Sequence, residues 1–319
     1  MTTALKYVKI GHVCISLTDF YESDKEAAMS LLQAILMGII QGLTEFLPVS
    51  SSGHLVILEN LLNIRTDTDV LFHVLLHFGT LIAICLVFKN DLFRMLVETI
   101  HIFQDLTANF KIYIDNKMHS AQTTPYRKIL CNNYRTMVAM ILISTIPTGI
   151  LGYLLQNLVD RWSSSLPVTG LGLLITAVLL LVVDNWQLGN KLPKHITVPQ
   201  ALAIGVCQGI SVIPGISRSG ITITAGFLCG FRRGFAIRYS YLVSIPAILG
   251  AMILECGKLE SKSVTWSLGF SYAAAMLTAA VVGYFSIRFM LAFIKKKKLR
   301  IFSIYCFIMG ILAIVCYFV

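Results

Sequence analysis

Three ionisable residues, Glu45, His54 and Arg218, stand in apolar surroundings beside clusters of hydroxyls and glycines. Around Glu45 lie Thr44, Ser50, Ser51 and Ser52; around Arg218 lie Ser211, Ser217, Ser219, Thr222 and Thr224. A guanidinium fork, hydroxyls, Gly-rich turns and helix N-termini together suit phosphate oxygens in a low-dielectric site. The expected phosphate-binding set is Ser50, Ser52, Ser217, Arg218, Ser219 and Thr222, with Gln41 and Gln208 in support. A carboxylate beside an anion site needs a purpose. Glu45 could hold a divalent cation, Mg2+ or Ca2+, or act as a general base, and His54 could carry a proton. Plainer roles compete: Glu45 and Arg218 could simply neutralise each other, and Ser50 and Ser217 read first as N-caps of the helices that follow them.

Those residues belong to a duplication. Ala34–Gly53 (AILMGIIQGLTEFLPVSSSG) and Ala201–Gly220 (ALAIGVCQGISVIPGISRSG) share seven of twenty positions, among them Gln41 and Gln208. Ordinary residue frequencies would give roughly one. Each copy has an apolar stretch of about 15 residues, a Pro/Ser/Gly break and a second short apolar stretch, Leu55–Leu62 or Ile221–Cys229. Neither half can cross a bilayer alone. Such breaks are tolerated at depth only where they line a cavity.

Composition sets the solvent. The chain is 56% hydrophobic and 13% charged, with mean hydropathy +0.76; soluble domains carry about 25% charged residues. Six stretches are long enough to span: Val70–Phe88, Thr136–Leu155, Leu166–Val183, Ile237–Glu255, Leu268–Met290 and Ile301–Phe318. The fold expected is an all-α polytopic membrane protein, six transmembrane helices plus two re-entrant helix pairs. Three spans separate the two copies, so they enter from opposite faces and form an inverted repeat. Residues 1–27 read as a poorly ordered or interfacial extension rather than a signal peptide, and 28–319 as one membrane domain, with repeats of about 28–155 and 166–319.

Most of the excess positive charge, formally +10, falls on one face, including Lys89, Arg94, Arg135, Arg232, Arg233, Lys295 to Lys298 and Arg300. Arg65, Arg161, Lys258 and Lys262 fall on the other. The first face is then cytoplasmic, and these charges are topology signals rather than a nucleic-acid surface. The Phe88–Arg135 connection is expected to hold an interfacial helix. The eight cysteines include no CxxC pair and read as small apolar residues. His73 and His77, one turn apart without a third ligand, read as packing or polar contacts. Asp184 and Glu255 read as solvated span ends.

QGLTEFLPVSSSGH and PGISRSGITITAG resemble the two signature motifs of the undecaprenyl-diphosphate phosphatases, the bacitracin-resistance family. LHFGTL (Leu76–Leu81) resembles the motif between them. The resemblance runs from about Ala34 to the C-terminus. It implies hydrolysis of undecaprenyl diphosphate to the monophosphate and inorganic phosphate, which recycles the lipid carrier for peptidoglycan synthesis and confers bacitracin resistance. By position it implies catalytic roles for Glu45 (second acidic position), Ser51 (nucleophile), His54 and Arg218 (phosphate-binding). The first acidic position is Gln41 here, so a mechanism needing two carboxylates does not transfer. Type 2 phosphatidic acid phosphatases also pair a PSGH-like with a Ser-Arg motif, but need a His where this chain has Thr224.

The function expected is therefore that of an enzyme of the bacterial cytoplasmic (inner) membrane. Its site opens to the extracytoplasmic side, its substrate's tail stays among membrane lipids, and a homodimer is possible. The alternative is a polyprenyl-phosphate transporter or flippase, since broken helices at the midplane are also what transporters show.

Overall fold

The computed structural model describes residues 7–10, 13–16, 29–62, 69–118, 124–186, 189–257, 266–293 and 298–318. Arg65, Lys258, Lys262 and Lys295 to Lys297, used above as orientation signals, lie outside them, as does most of the N-terminal extension. Within that extension β1 (Tyr7–Ile10) and β2 (Val13–Ser16) pair antiparallel, Tyr7 opposite Ser16.

Everything else regular among the described residues is helical. Six helices are long and apolar enough to cross a membrane: α3 (Asp69–Val87), α5 (Asn133–Trp162), α6 (Leu166–Asp184), α9 (Arg233–Cys256), α10 (Trp266–Phe293) and α11 (Arg300–Phe318). They match the expected spans, several of them running a turn or two further. Their outer faces carry unpartnered apolar side chains, such as Leu142, Ile146, Ile150 and Tyr153 along α5. The chain is a multi-pass membrane protein, with lipid as the solvent for those faces.

The duplicated segments form two helical hairpins too short to span. α1 (Leu31–Thr44) and α2 (Ser51–Leu62) make the first; α7 (Val198–Ile210) and α8 (Arg218–Leu228) make the second. The first arm of each is clamped against one span. Ser286 donates to the Leu43 carbonyl (3.0 Å), and a Cβ on Gly38 or Gly42 would collide with the carbonyl of Ala275 or Ala279. Residue numbers rise together, so α1 runs parallel to α10. Likewise Ser144 donates to the Ala201 carbonyl (2.7 Å) and Thr148 to that of Gly205 (2.9 Å), so α7 runs parallel to α5. Small residues at both seams let backbones touch, which is how helices associate where hydrophobicity offers no preference. α6 and α11 pack antiparallel and carry the second arms: Ser303 donates to the Ala177 carbonyl (2.6 Å), and Asp184 accepts from the Leu299 amide (2.8 Å). Asp184 is thus a tether between helices, not a solvated end. Glu255 is half-buried, with Oε2 buried and unbonded among the described residues.

Between α3 and α5 lies the 30-residue helix α4 (Lys89–Met118). Arg135, at the start of α5, donates through Nε to Glu98 (2.7 Å) and through Nη1 to Asp105 (2.7 Å). These hydrogen bonds hold both carboxyls below their ordinary range.

Two outcomes are expected. Gly42→Leu should unseat α1 from α10, lowering stability by about 1–3 kcal/mol, read as a drop in melting temperature in detergent. The depressed carboxyls stabilise the α4–α5 junction fully above the unfolded carboxylate range and lose that contribution as pH falls. Hydrogen exchange in α4, corrected for intrinsic rates, should stay slow above about pH 5 and quicken below about pH 4.

Candidate active site

Each hairpin reverses through an elbow containing a proline, which breaks its helix by lacking an amide hydrogen. In the first, Glu45 closes α1 and the chain turns through Phe46, Leu47, Pro48, Val49 and Ser50. Ser50 sits at φ 70°, a left-handed conformation that few non-glycine residues adopt. Its hydroxyl accepts from the Gly53 amide (3.2 Å), capping α2. In the second, Pro214 precedes Gly215 at φ 85°, and the Ser217 hydroxyl accepts from the Gly220 amide (3.1 Å), capping α8. Both serines are N-caps, as their positions suggested.

The elbows touch. Gly215 donates its amide to the Ser52 hydroxyl (3.4 Å), Ser219 donates to the Leu47 carbonyl (3.0 Å), and Tyr241 of α9 donates to the Phe46 carbonyl (2.8 Å). Carbonyls freed by the broken helix are thereby satisfied from the other repeat and from a span, as burial requires.

At the junction lies Glu45, its side chain only 2% exposed. Oε1 accepts from Nη2 of Arg218 in a direct ion pair. Oε2 accepts from the Ser51 hydroxyl (2.6 Å) and from Nε2 of Gln41 (3.0 Å). One carboxylate therefore binds a guanidinium and a hydroxyl at once, and a hydroxyl on a carboxylate is the geometry of a nucleophile beside its base. Nε2 of Gln41 also lies 3.2 Å from Nδ1 of His77. An amide nitrogen only donates, so Nδ1 accepts and neutral His77 carries its proton on Nε2. Arg218, partly exposed, opens onto a narrow cleft lined by Glu45, Phe46, Arg218, Ser219, Ser240, Tyr241 and Ser244.

The other candidates divide. His54 is buried with both ring nitrogens engaged elsewhere: Nδ1 donates to the Ser50 carbonyl (2.7 Å), leaving Nε2 to accept from the Tyr305 hydroxyl (2.7 Å). It braces the strained elbow against α11 rather than addressing Ser51 or Arg218. Thr222 bonds back to the Arg218 carbonyl (2.7 Å) and to Ser240 (2.6 Å). Gln208, one repeat away from Gln41, reaches Thr148 and the Val243 carbonyl and stays off the cleft. Thr44 and Ser211 bond to carbonyls of their own helices.

Ser240, Tyr241 and Ser244 were not anticipated. Their signal was faint: two hydroxyls one turn apart in an apolar span. His77, expected to make packing or polar contacts because no third metal ligand was in view, makes polar ones. It packs onto Gln41 and Glu45, a polar contact that only the placement of α3 creates. Among the described residues no three His, Cys, Asp or Glu side chains gather to hold a metal.

The profile of the family described as "Bacitracin resistance protein BacA" matches residues 34–312. The chain belongs to this family. Among its curated relatives is a protein of Desulforapulum autotrophicum, 38% identical over 295 residues, covering 91% of this chain and 100% of that one. One of Halothermothrix orenii is 38% identical over 287 residues (90% and 98%), and one of Methanosphaera stadtmanae is 36% identical over 287 residues (90% and 98%). All three bear the name undecaprenyl-diphosphatase.

In this BacA-family chain, Gly215 fits its elbow by conformation and by space, since a Cβ there would also strike the Thr169 carbonyl. Gly215→Ala should cost about 1–3 kcal/mol, seen as a lower melting temperature.

Proposed function

We propose that the protein hydrolyses a polyprenyl diphosphate at its terminal phosphate, with undecaprenyl diphosphate the substrate that the names of its relatives favour. The observation that carries the chemistry is the chain Arg218–Glu45–Ser51, assembled from both elbows beside an open cleft. At rest the guanidinium is paired with Glu45. A terminal phosphate carries more negative charge than the carboxylate and competes for it, and binding turns Arg218 and Ser219 toward the phosphate oxygens. Glu45, relieved of its partner, takes the Ser51 proton. Oγ then forms a bond to the terminal phosphorus as the bond to the bridging oxygen breaks, and the prenyl monophosphate leaves with the proton returned by Glu45, which is again a carboxylate. Water, activated by the same carboxylate, next cleaves the phosphoserine to inorganic phosphate and Ser51. Positioning and charge stabilisation supply the rate, as in other phosphoryl transfers.

The site fits a divalent cation that takes most of its ligands from substrate. Oε1 of Gln41 is buried without a hydrogen-bond partner among the described residues, on the side chain that bonds Glu45. Glu45 and this amide oxygen would hold Mg2+ or Ca2+, which when bound supplies neutralisation of phosphate oxygens. His54 serves as a brace of the elbow, and His77 orients Gln41.

The architecture supports the inverted repeat. α1 follows α10 and α7 follows α5, while α5 runs with α9 (Ser144 bonds Tyr239, Gln208 links Thr148 to Val243) and so against α10. The two hairpins then enter from opposite faces and meet at depth. The basic ends of the spans favour the cytoplasmic side for α4, and the carrier-lipid substrate that the relatives' names suggest favours a mouth on the extracytoplasmic face of the bacterial inner membrane. There the reaction would return carrier lipid to peptidoglycan synthesis and oppose bacitracin. The hydroxyl–carboxylate contact favours hydrolysis over a transporter, which has no use for a nucleophile.

Purified protein in detergent should release phosphate from a long-chain prenyl diphosphate. Arg218→Ala should lower that rate by a factor of about 10²–10³ while the protein still elutes as a folded species; near-normal release removes the assignment. Acid-quenched turnover should trap phosphate on Ser51, and Ser51→Ala should show neither the adduct nor the release. Persistent release in that variant would make water the nucleophile.

A further inference from the structure

α4 carries an apolar face that stands exposed among the described residues. Phe93, Leu96, Ile100, Phe103, Phe110 and Ile114 fall three, four or seven residues apart, so they form one stripe. Four of them (Phe93, Leu96, Phe103 and Phe110) are 64–68% exposed. No residue of α4 is fully buried. The opposite face is fastened to the protein. Asp91, Glu98 and Asp105, each seven residues apart, bond Arg238 and Tyr134, Arg135, and Arg135 with Arg127. Asn109 and Asn116 pair with the backbone of Arg127 and Thr124. The acids of that face are therefore consumed by partners inside the molecule. Lys89, Lys111 and Lys117 have no carboxylate within ion-pair distance among the described residues, and Asp115 offsets one of them.

The placement of α4 decides what the stripe meets. Its acidic anchors reach the first turn of α5 and the second turn of α9, the ends of two membrane spans, and Asp105, Asn109 and Asn116 hold residues 124–127 on the way into α5. These contacts hold the Asp91–Asp105 stretch of α4 at the level where two membrane spans begin. At that level a helix meets the boundary between headgroups and acyl chains. A strongly two-faced helix of low net hydrophobicity, with aromatic residues on one face and lysines beside it, is suited to lie in that boundary.

We propose that α4 is an in-plane membrane-surface helix whose stripe inserts into the headgroup boundary of the adjacent leaflet, with Lys89, Lys111 and Lys117 drawing anionic lipid headgroups to this end of the protein. The second arm of the claim follows from charge: with its acids paired inward, the helix presents a net positive edge to the lipid. The proposal is independent of the chemistry at the elbows.

Full-length protein in vesicles of zwitterionic and anionic phospholipid supplies the test. Phe103→Trp, in a variant with Trp162, Trp186 and Trp266 changed to Phe, should be quenched by lipids bearing a nitroxide near the headgroup. Quenching should be about threefold or more stronger than for His101→Trp on the polar flank. As a check without substitution, unmodified protein photolabelled by a carbene-bearing anionic lipid should carry adducts between residues 93 and 114. Lys111→Glu with Lys117→Glu should reduce labelling by the anionic lipid at least about twofold relative to its zwitterionic counterpart. Equal quenching at the two positions, or no adducts in that stretch, overturns the insertion. Quenching at Phe103→Trp that disappears as the protein-to-lipid ratio rises assigns the stripe to a second copy and equally overturns it. Unchanged lipid preference in the double variant overturns the role of the lysines.

Discussion

A single buried ion pair, Glu45 with Arg218, ties together two chain reversals that are far apart in sequence. Each charge alone would cost about 2.5–3.5 kcal/mol at the centre of a membrane helix. Paired and further hydrogen-bonded, they hold the elbows against each other. Losing either partner strands the other in a medium of low polarity, where the penalty is about 3–5 kcal/mol. The pair is also an unspent resource, because an incoming phosphate can take the guanidinium and leave the carboxylate free to act on Ser51. Stability of the empty site and reactivity of the filled one draw on the same contact.

The elbows explain why hydroxyls crowd the site. A helix interrupted at depth exposes amides and carbonyls to a solvent that cannot bond them. Ser50 and Ser217 satisfy amides at the new helix starts, Ser219 and Tyr241 satisfy carbonyls of the first elbow, and Thr176 accepts the Ser217 amide at 2.9 Å. Several of the serines and threonines that look like substrate ligands in a string of letters are committed to backbone. What is not bonded to backbone around the cleft is narrower: the guanidinium of Arg218, paired with Glu45, and the hydroxyl of Ser240, paired with Thr222.

Around that centre the rest of the molecule acts as a clamp. Spans α5 and α10 seize the first arms through small-residue seams, and α6 with α11 supports the second arms. His54 reaches from the strained turn at Ser50 to Tyr305 on α11. α4 stands apart, pinned by its acids to the ends of α5 and α9, with its other face turned outward.

Length, hydropathy and the duplicated Pro/Gly breaks by themselves determined the number of spans, the two short hairpins and the charged residues Glu45 and Arg218, while Ser51 was singled out by the motif resemblance. Those properties depend on local pattern: a bilayer admits only long apolar helices, and a buried charge stands out wherever it falls. The N-capping of Ser50 and Ser217 was legible for the same reason, since capping is a contact between near neighbours. Only the tertiary structure decided which hydroxyls face the cleft, that His54 turns to Tyr305, that His77 joins Gln41, that Asp184 tethers α11, and that α9 lines the site. Each of these is a meeting of residues far apart in sequence, and spacing along a chain carries no information about which helix will lie beside another.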